Sequence, residues 1–189
     1  KINLLFGRTS WRPPVIVCAN GIVMQQNRRF YEETDIPLVW NWVHRRWAPK
    51  SRSGSVDFFL ARPGIEFRSD DGHQGFGSGG TVTYTALQLA YLAGARRVIL
   101  VGVDHSFKQG GQPHTIQERS GPDPDHFHPD YFADGELWKL PDLPKSELAY
   151  QLAKDAFERD GREIVDATID GHLKVFRRVS IEQAKAYCE

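Results

Sequence analysis

From Thr81 to Val103 the chain reads Thr-Val-Thr-Tyr-Thr-Ala-Leu-Gln-Leu-Ala-Tyr-Leu-Ala-Gly-Ala-Arg-Arg-Val-Ile-Leu-Val-Gly-Val, and the fold class follows from this run. Val82, Ala86, Leu89, Ala90 and Ala93 recur at helical spacing, which predicts a helix over 81–93 with that apolar face turned inward. Gly94 supplies a stop, and Arg97 to Val103 is a continuous apolar run of the kind a parallel strand buried on both faces shows. The same grammar returns downstream. Leu143-Pro144 opens a helix to about Asp160 with Leu148, Leu152, Ala156 and Phe157 on one face, Gly161 ends it, and Glu163-Ile-Val-Asp166 is the next strand. Two successive helix-Gly-strand units predict an α/β chain with a parallel sheet.

Upstream, Val15-Ile-Val-Cys18, Ile36-Pro-Leu-Val-Trp40 and Val56-Asp-Phe-Phe-Leu60 are strand candidates. Asn20-Gly21 reads as a turn, and Gln25 to Thr34 as a polar helix or loop. Asp70 to Gly80 holds five glycines in eleven residues and is expected to be loop. Asp170-Gly171 reads as a turn, and Ile181 to Tyr187 as a final short helix. The 189 residues are expected to form a single domain, with a long functional loop over 104–143.

Twenty-four basic side chains balance twenty-four acidic ones, which argues against the broad positive field that a nucleic-acid polymer requires. No apolar run is long enough for a membrane span, and the two cysteines, Cys18 and Cys188, make no disulfide framework. A cytoplasmic protein is the expectation. The chain has no initiator Met and opens on Ile2, Leu4, Leu5 and Phe6 as if inside a helix, so it is expected to lack its own first βα unit.

In an open parallel sheet, ligands bind beyond the carboxyl ends of the strands. Asp104-His105 and Thr168 fall at such ends. The helix entrance at Ser78, Gly79, Gly80, Thr81 and Thr83 faces the same edge, where unpaired amides and hydroxyls suit an anion or phosphate; the bland alternative is that Ser78 to Thr81 only caps the helix. The third feature is His126-Phe-His128-Pro-Asp130-Tyr131. In an extended backbone, His126, His128 and Asp130 point the same way, either as a general base with its orienting group, as metal ligands, or as a hydrogen-bonded structural feature. All three features are expected on one rim. A strand-end acid such as Asp104 is expected to be desolvated unless a ligand meets it. The Trp40 to Trp47 cluster with Arg45 and Arg46 suits either an anionic planar ligand or an oligomer contact, so a homo-oligomer is one expectation. Walker, zincin and serine-hydrolase motifs are absent from the sequence.

Four blocks carry a resemblance: Gly79 to Tyr91, Val98-Ile-Leu-Val-Gly-Val-Asp-His-Ser-Phe107, His126-Phe-His-Pro-Asp-Tyr-Phe132 and Ser146-Glu-Leu-Ala-Tyr150. Together they resemble the domain of unknown function 115 family, named for the archaeal 6-hydroxymethylpterin diphosphokinase and similar in fold to bacterial sialyltransferases that use a CMP-sugar. The resemblance implies a Rossmann-like, mostly parallel sheet with helices on both faces that holds a nucleotide and transfers a group from it. It places Thr81, Val82 and Thr83 at the nucleotide and Asp104 as the strand-end acid. Ser106 stands where the sialyltransferases carry a tyrosine, no histidine precedes the helix near Ser146, and the family's opening Gly-Asn-Gly loop is absent.

The expected function is a transferase resembling glycosyltransferases of surface polysaccharide assembly. Its donor would be a nucleotide-activated sugar, its acceptor a small molecule or glycan, and its base His126 or His128, with Asp104, His105, Asp130, Tyr131 and Thr168 lining the site. This reading needs no metal. The alternatives are a Mg²⁺-dependent diphosphokinase, in which Asp104 and Asp130 hold the ion with ATP, and a nucleotide-binding module without catalysis.

Overall fold

The computed structural model describes residues 1–50, 53–70, 73–108 and 110–188. The chain is mixed α/β. In order it forms β1 (Ile16–Cys18), α1 (Gly21–Gln26), α2 (Arg28–Glu33), β2 (Leu38–Asn41), β3 (Val56–Phe59), β4 (Ala61–Arg62), β5 (Phe76–Gly77) and α3 (Val82–Leu92). Then follow β6 (Arg97–Leu100), β7 (Ile116–Glu118), β8 (Leu137–Lys139), α4 (Leu143–Arg159), β9 (Glu163–Asp166), β10 (Arg177–Arg178) and α5 (Ile181–Ala186). Contacts divide it into two compact units, one of Lys1–Ala61 with Lys108–Pro141, the other of Arg62–Phe107 with Asp142–Glu189.

In the first unit β1, β2 and β3 lie side by side in that order, all parallel, with Cys18 opposite Trp40 and Trp40 opposite Phe58. Ile16, Cys18, Met24, Tyr31, Ile36, Leu38 and Trp40 form its core. Asn20-Gly21 is a helix start and not a turn: the Asn20 side chain accepts from the Ile22 amide at 2.9 Å and caps α1. The stretch expected as one long loop carries an antiparallel pair, β7 with β8, in which Gln117 faces Trp138. Trp138 is buried, and that apolar anchor is what lets so polar a segment fold back on itself.

The second unit has the strand order β10-β9-β6, again parallel, with Leu100 opposite Asp166. Helix α3 forms where the periodicity predicts it, but it buries a different face: Tyr84, Thr85, Leu87, Gln88 and Tyr91 point inward while Val82 is exposed. The polar atoms on that face are satisfied, which makes the burial affordable. The Tyr84 hydroxyl donates to the Ile65 carbonyl at 2.6 Å, and the Gln88 amide donates to Gly77 O at 2.9 Å while accepting from Arg68 N at 3.1 Å. Helix α4 behaves alike. It buries Ala149, Tyr150, Ala153, Ala156 and Phe157, and Leu148 and Leu152 of the expected stripe face solvent. Small residues at 149 and 153 let the large Tyr84, Tyr91 and Phe157 rings fill the space between elements. Strand β6 stops at Leu100, short of Val103, because Gly102 turns the backbone to a φ of +73°.

The Gly-rich stretch is loop except for β5, and its residues 71–72 lie outside the described ones. Gly79 has a φ of +54°, and a Cβ there would lie 2.3 Å from the Tyr84 ring and 2.8 Å from Ala149, so close packing alone requires the glycine.

Candidate functional site

The residues expected to share a site are distributed over both units. His126, His128, Asp130 and Tyr131 belong to the first; Ser78, Gly79, Gly80, Thr81, Thr83, Asp104, His105 and Thr168 belong to the second.

In the first unit the segment between β7 and β8 is organised by a carboxylate outside the His126–Tyr131 motif, Asp123. Asp123 has no exposed side-chain surface. Its Oδ1 accepts from the Asp125 amide at 2.9 Å and faces the Arg119 guanidinium at 3.4 Å. Its Oδ2 accepts from the Phe132 amide at 3.2 Å and lies 2.9 Å from His126 Nδ1. Arg119 is itself buried, reaches Asp125 as well, and lies 4.4 Å over the Trp138 ring. A buried acid is tolerable only with such a set of donors around it.

His126 is fixed on two sides. A carboxylate only accepts, so Nδ1 carries the imidazole proton and Nε2 carries the lone pair. The ring stacks on Tyr131 at 4.0 Å with 5° between planes, and 21% of the side chain remains exposed. Burial holds its pKa below the usual value, and the Asp123 charge works against that shift without cancelling it, so the neutral form prevails at pH 7. Burial, with the Asp123 charge second, pushes the Tyr131 phenol up to about 12, which keeps it protonated. Buried acid, histidine with a defined tautomer and partial exposure are together the arrangement of a general base with its orienting group.

The extended backbone expected for 126–131 is not formed, because the Tyr131 amide donates to the His128 carbonyl at 2.9 Å and closes a turn. His126 and His128 therefore have separate partners. His128 Nδ1 accepts from the Asp130 amide at 3.1 Å and stands 3.8 Å from the exposed Asp130 carboxylate. Asp130 does not orient His126; Asp123 does. The signal was legible as Asp123-Pro-Asp125-His126, an acid three residues before the histidine.

In the second unit the carboxyl edge of β6 and β9 meets the entrances of α3 and α4. Thr81 caps α3, accepting from the Thr83 amide at 3.3 Å, and burial pushes the Tyr150 phenol up while the Thr81 and Thr83 side chains work against that shift. Ser78 accepts the Thr81 amide on its carbonyl, and Gly80 backs onto Ser146. Asp104 is exposed, contrary to the desolvation expected of it, because its carboxylate leaves the sheet after the Gly102 turn while its carbonyl accepts from the His172 amide at 2.8 Å. His105, with a φ of +53°, lies 3.1 Å from Glu147 and edge-on to Tyr150. Thr168 is buried, and its hydroxyl accepts from the Val103 amide at 3.0 Å.

The aromatic cluster also divides. Trp40 is core, Trp42 is half-exposed against Phe58 with Arg45 over it, and Trp47 stacks on His44 under the Arg46 guanidinium. Among the described residues no group of three or more His, Cys, Asp or Glu is placed to hold a metal ion, so Asp104 and Asp130 belong to no preassembled Mg²⁺ shell, nor do His126, His128 and Asp130 form a metal triad. No helix of the described residues is long and apolar enough to cross a membrane. Compared with family models, curated proteins and solved structures, the chain matches none.

Proposed function

We propose that the chain is a group transferase that resembles the glycosyltransferases using a nucleotide-activated sugar, with a CMP-sugar as the first donor to test, a Rossmann-like nucleotide fold, and His126 as its general base. One observation carries the reading: His126 Nδ1 lies 2.9 Å from a fully buried Asp123 carboxylate, in a segment whose hydrogen bonds converge on that acid. In the reaction, His126 Nε2 takes the proton of an acceptor hydroxyl, the oxygen forms a bond to the anomeric carbon, and the bond from that carbon to the donor phosphate oxygen breaks with its electron pair leaving on the nucleotide. Asp123 stabilises the imidazolium that results.

The test uses water as acceptor. Nucleotide release from CMP-, UDP- and GDP-sugars is followed with and without EDTA, for the wild type, His126→Ala and Asp123→Asn. Loss of about 10²-fold or more in kcat in both variants, with activity surviving EDTA, supports the base. Activity lost to EDTA with ATP as donor favours the diphosphokinase instead. Unchanged nucleotide affinity in His126→Ala, with no turnover in any form, identifies a binding module. A nucleotide at about 100 times its dissociation constant adds about 2.7 kcal/mol of stability, so a thermal-shift screen finds the donor first.

A further inference from the structure

We infer that the first unit carries a separate binding site for a phosphorylated small molecule, in the cavity between α1, α2 and the 3₁₀ turn Trp42–Trp47. The cavity has a volume of about 710 Å³ and is lined by Met24, Arg28, Glu32, Arg46, Trp47 and Lys50 among others. That volume is of the size that small ligands fill. Three cations and one carboxylate among these six leave two positive charges, which suits a dianion in a chain whose net charge is zero.

The cations are disposed to receive a ligand. Among the described residues neither Arg46 nor Lys50 pairs with a carboxylate. Arg28 pairs with Glu32 at 2.7 Å, but both side chains are exposed and the pair is four residues apart on one helix, so it is worth only about 0.3–0.5 kcal/mol and yields readily to a phosphoryl group. Guanidinium forks favour phosphoryl oxygens, which they engage two at a time.

The wall is fixed as well as charged. Trp47 is held between the His44 ring at 5.0 Å and the Arg46 guanidinium at 4.4 Å. Gly21 lets it sit there, since a Cβ at that position would come within 2.6 Å of the indole. Burial and the Arg46 charge both hold the His44 pKa down, so the ring beside the indole is neutral. Met24 lies at the cavity floor but is buried in the core, so the Trp47 indole is the apolar surface left for the organic part of the ligand. A mostly polar cavity with one fixed aromatic wall and net positive charge selects a phosphomonoester or diphosphate of a compact organic group over a bare metal or a neutral sugar.

Calorimetric titration with inorganic pyrophosphate tests the site without any turnover, so its outcome is independent of the transferase reading. The wild type is expected to bind, with affinity that falls as salt is raised. Arg46→Ala/Lys50→Ala, both exposed positions, is expected to bind about tenfold more weakly with an unchanged circular dichroism spectrum. Gly21→Ala, which moves Trp47 and with it the Arg46 guanidinium stacked on the indole, is expected to weaken binding without removing any charge. No heat from the wild type at millimolar pyrophosphate, or equal affinity in the double variant, overturns the inference.

Discussion

Asp123 in the first unit and Asp166 in the second are both wholly buried carboxylates facing an arginine, yet they hold different things together. Asp166 ends β9, where its Oδ1 accepts from the Thr168 amide at 2.8 Å and its Oδ2 from Arg178 at 3.1 Å. Arg178 also reaches the carbonyls of Thr168 and Gly171, so the acid fastens β9 to β10 and the turn between them. Asp123 gathers two amides to the one of Asp166, and an arginine likewise, but its last lone pair goes to the imidazole of His126, which keeps a surface to solvent. A buried acid is therefore no sign of chemistry in itself. What distinguishes the two is whether a titratable, partly exposed group is among the partners.

Removing each acid or its partner tests that contrast. Asp123→Ala leaves the Asp125 and Phe132 amides without their acceptor and takes one of two carboxylates from the buried Arg119, and should cost about 3 kcal/mol in urea unfolding while loosening 119–136 to proteolysis. Should the cost be under 1 kcal/mol, Asp123 would not organise the segment. Arg178→Ala strips a buried carboxylate of its cation; because Arg178 is 41% exposed and water can partly replace it, the expected loss is about 2–3 kcal/mol, with nucleotide release unaltered. A fall in turnover beyond what unfolding explains would erase the distinction between the two acids.

Gly79→Ala probes whether the glycine-paved entrance of the second unit is packing or ligand cradle. A Cβ meeting Tyr84 at a positive φ should cost about 2 kcal/mol of stability even with no ligand present. The smallest effect concerns protons. His126 has a lowered pKa in the folded chain, so the unfolded chain binds a proton first as pH falls and stability declines below about 6.5, a decline that His126→Ala should remove. The rate of the proposed transfer should fall as pH drops through that lowered pKa, since only neutral imidazole accepts the proton; a pH–rate profile with no acid limb above the pH at which the chain unfolds would discard His126 as base.

How much of this was readable beforehand differs between the elements. Helices α3 and α4 were legible because their signals are local: Thr81 and Pro144 at the starts, Gly94 and Gly161 at the ends, with apolar strands behind them. Their buried faces were not, because counting aliphatic residues undervalues tyrosine and glutamine, whose polar atoms find partners only once Ile65, Arg68 and Gly77 are brought in from distant sequence. The histidine pair was legible as a motif, and its alternation failed on one turn hydrogen bond.

The amino-acid order by itself determined an α/β chain with parallel strands, the ends of its main helices, and a histidine-bearing excursion after Val103. Those properties come from residues within one or two turns of each other, where propensity and capping act. Only the tertiary structure decided that Asp123 and not Asp130 holds His126, that Asp104 faces water, and that Arg46 and Lys50 border a cavity. Burial and charge depend on which distant segments arrive, as when β7 pairs with β8 and Trp138 closes over Arg119, and the spacing of residues along a chain does not encode that arrival locally.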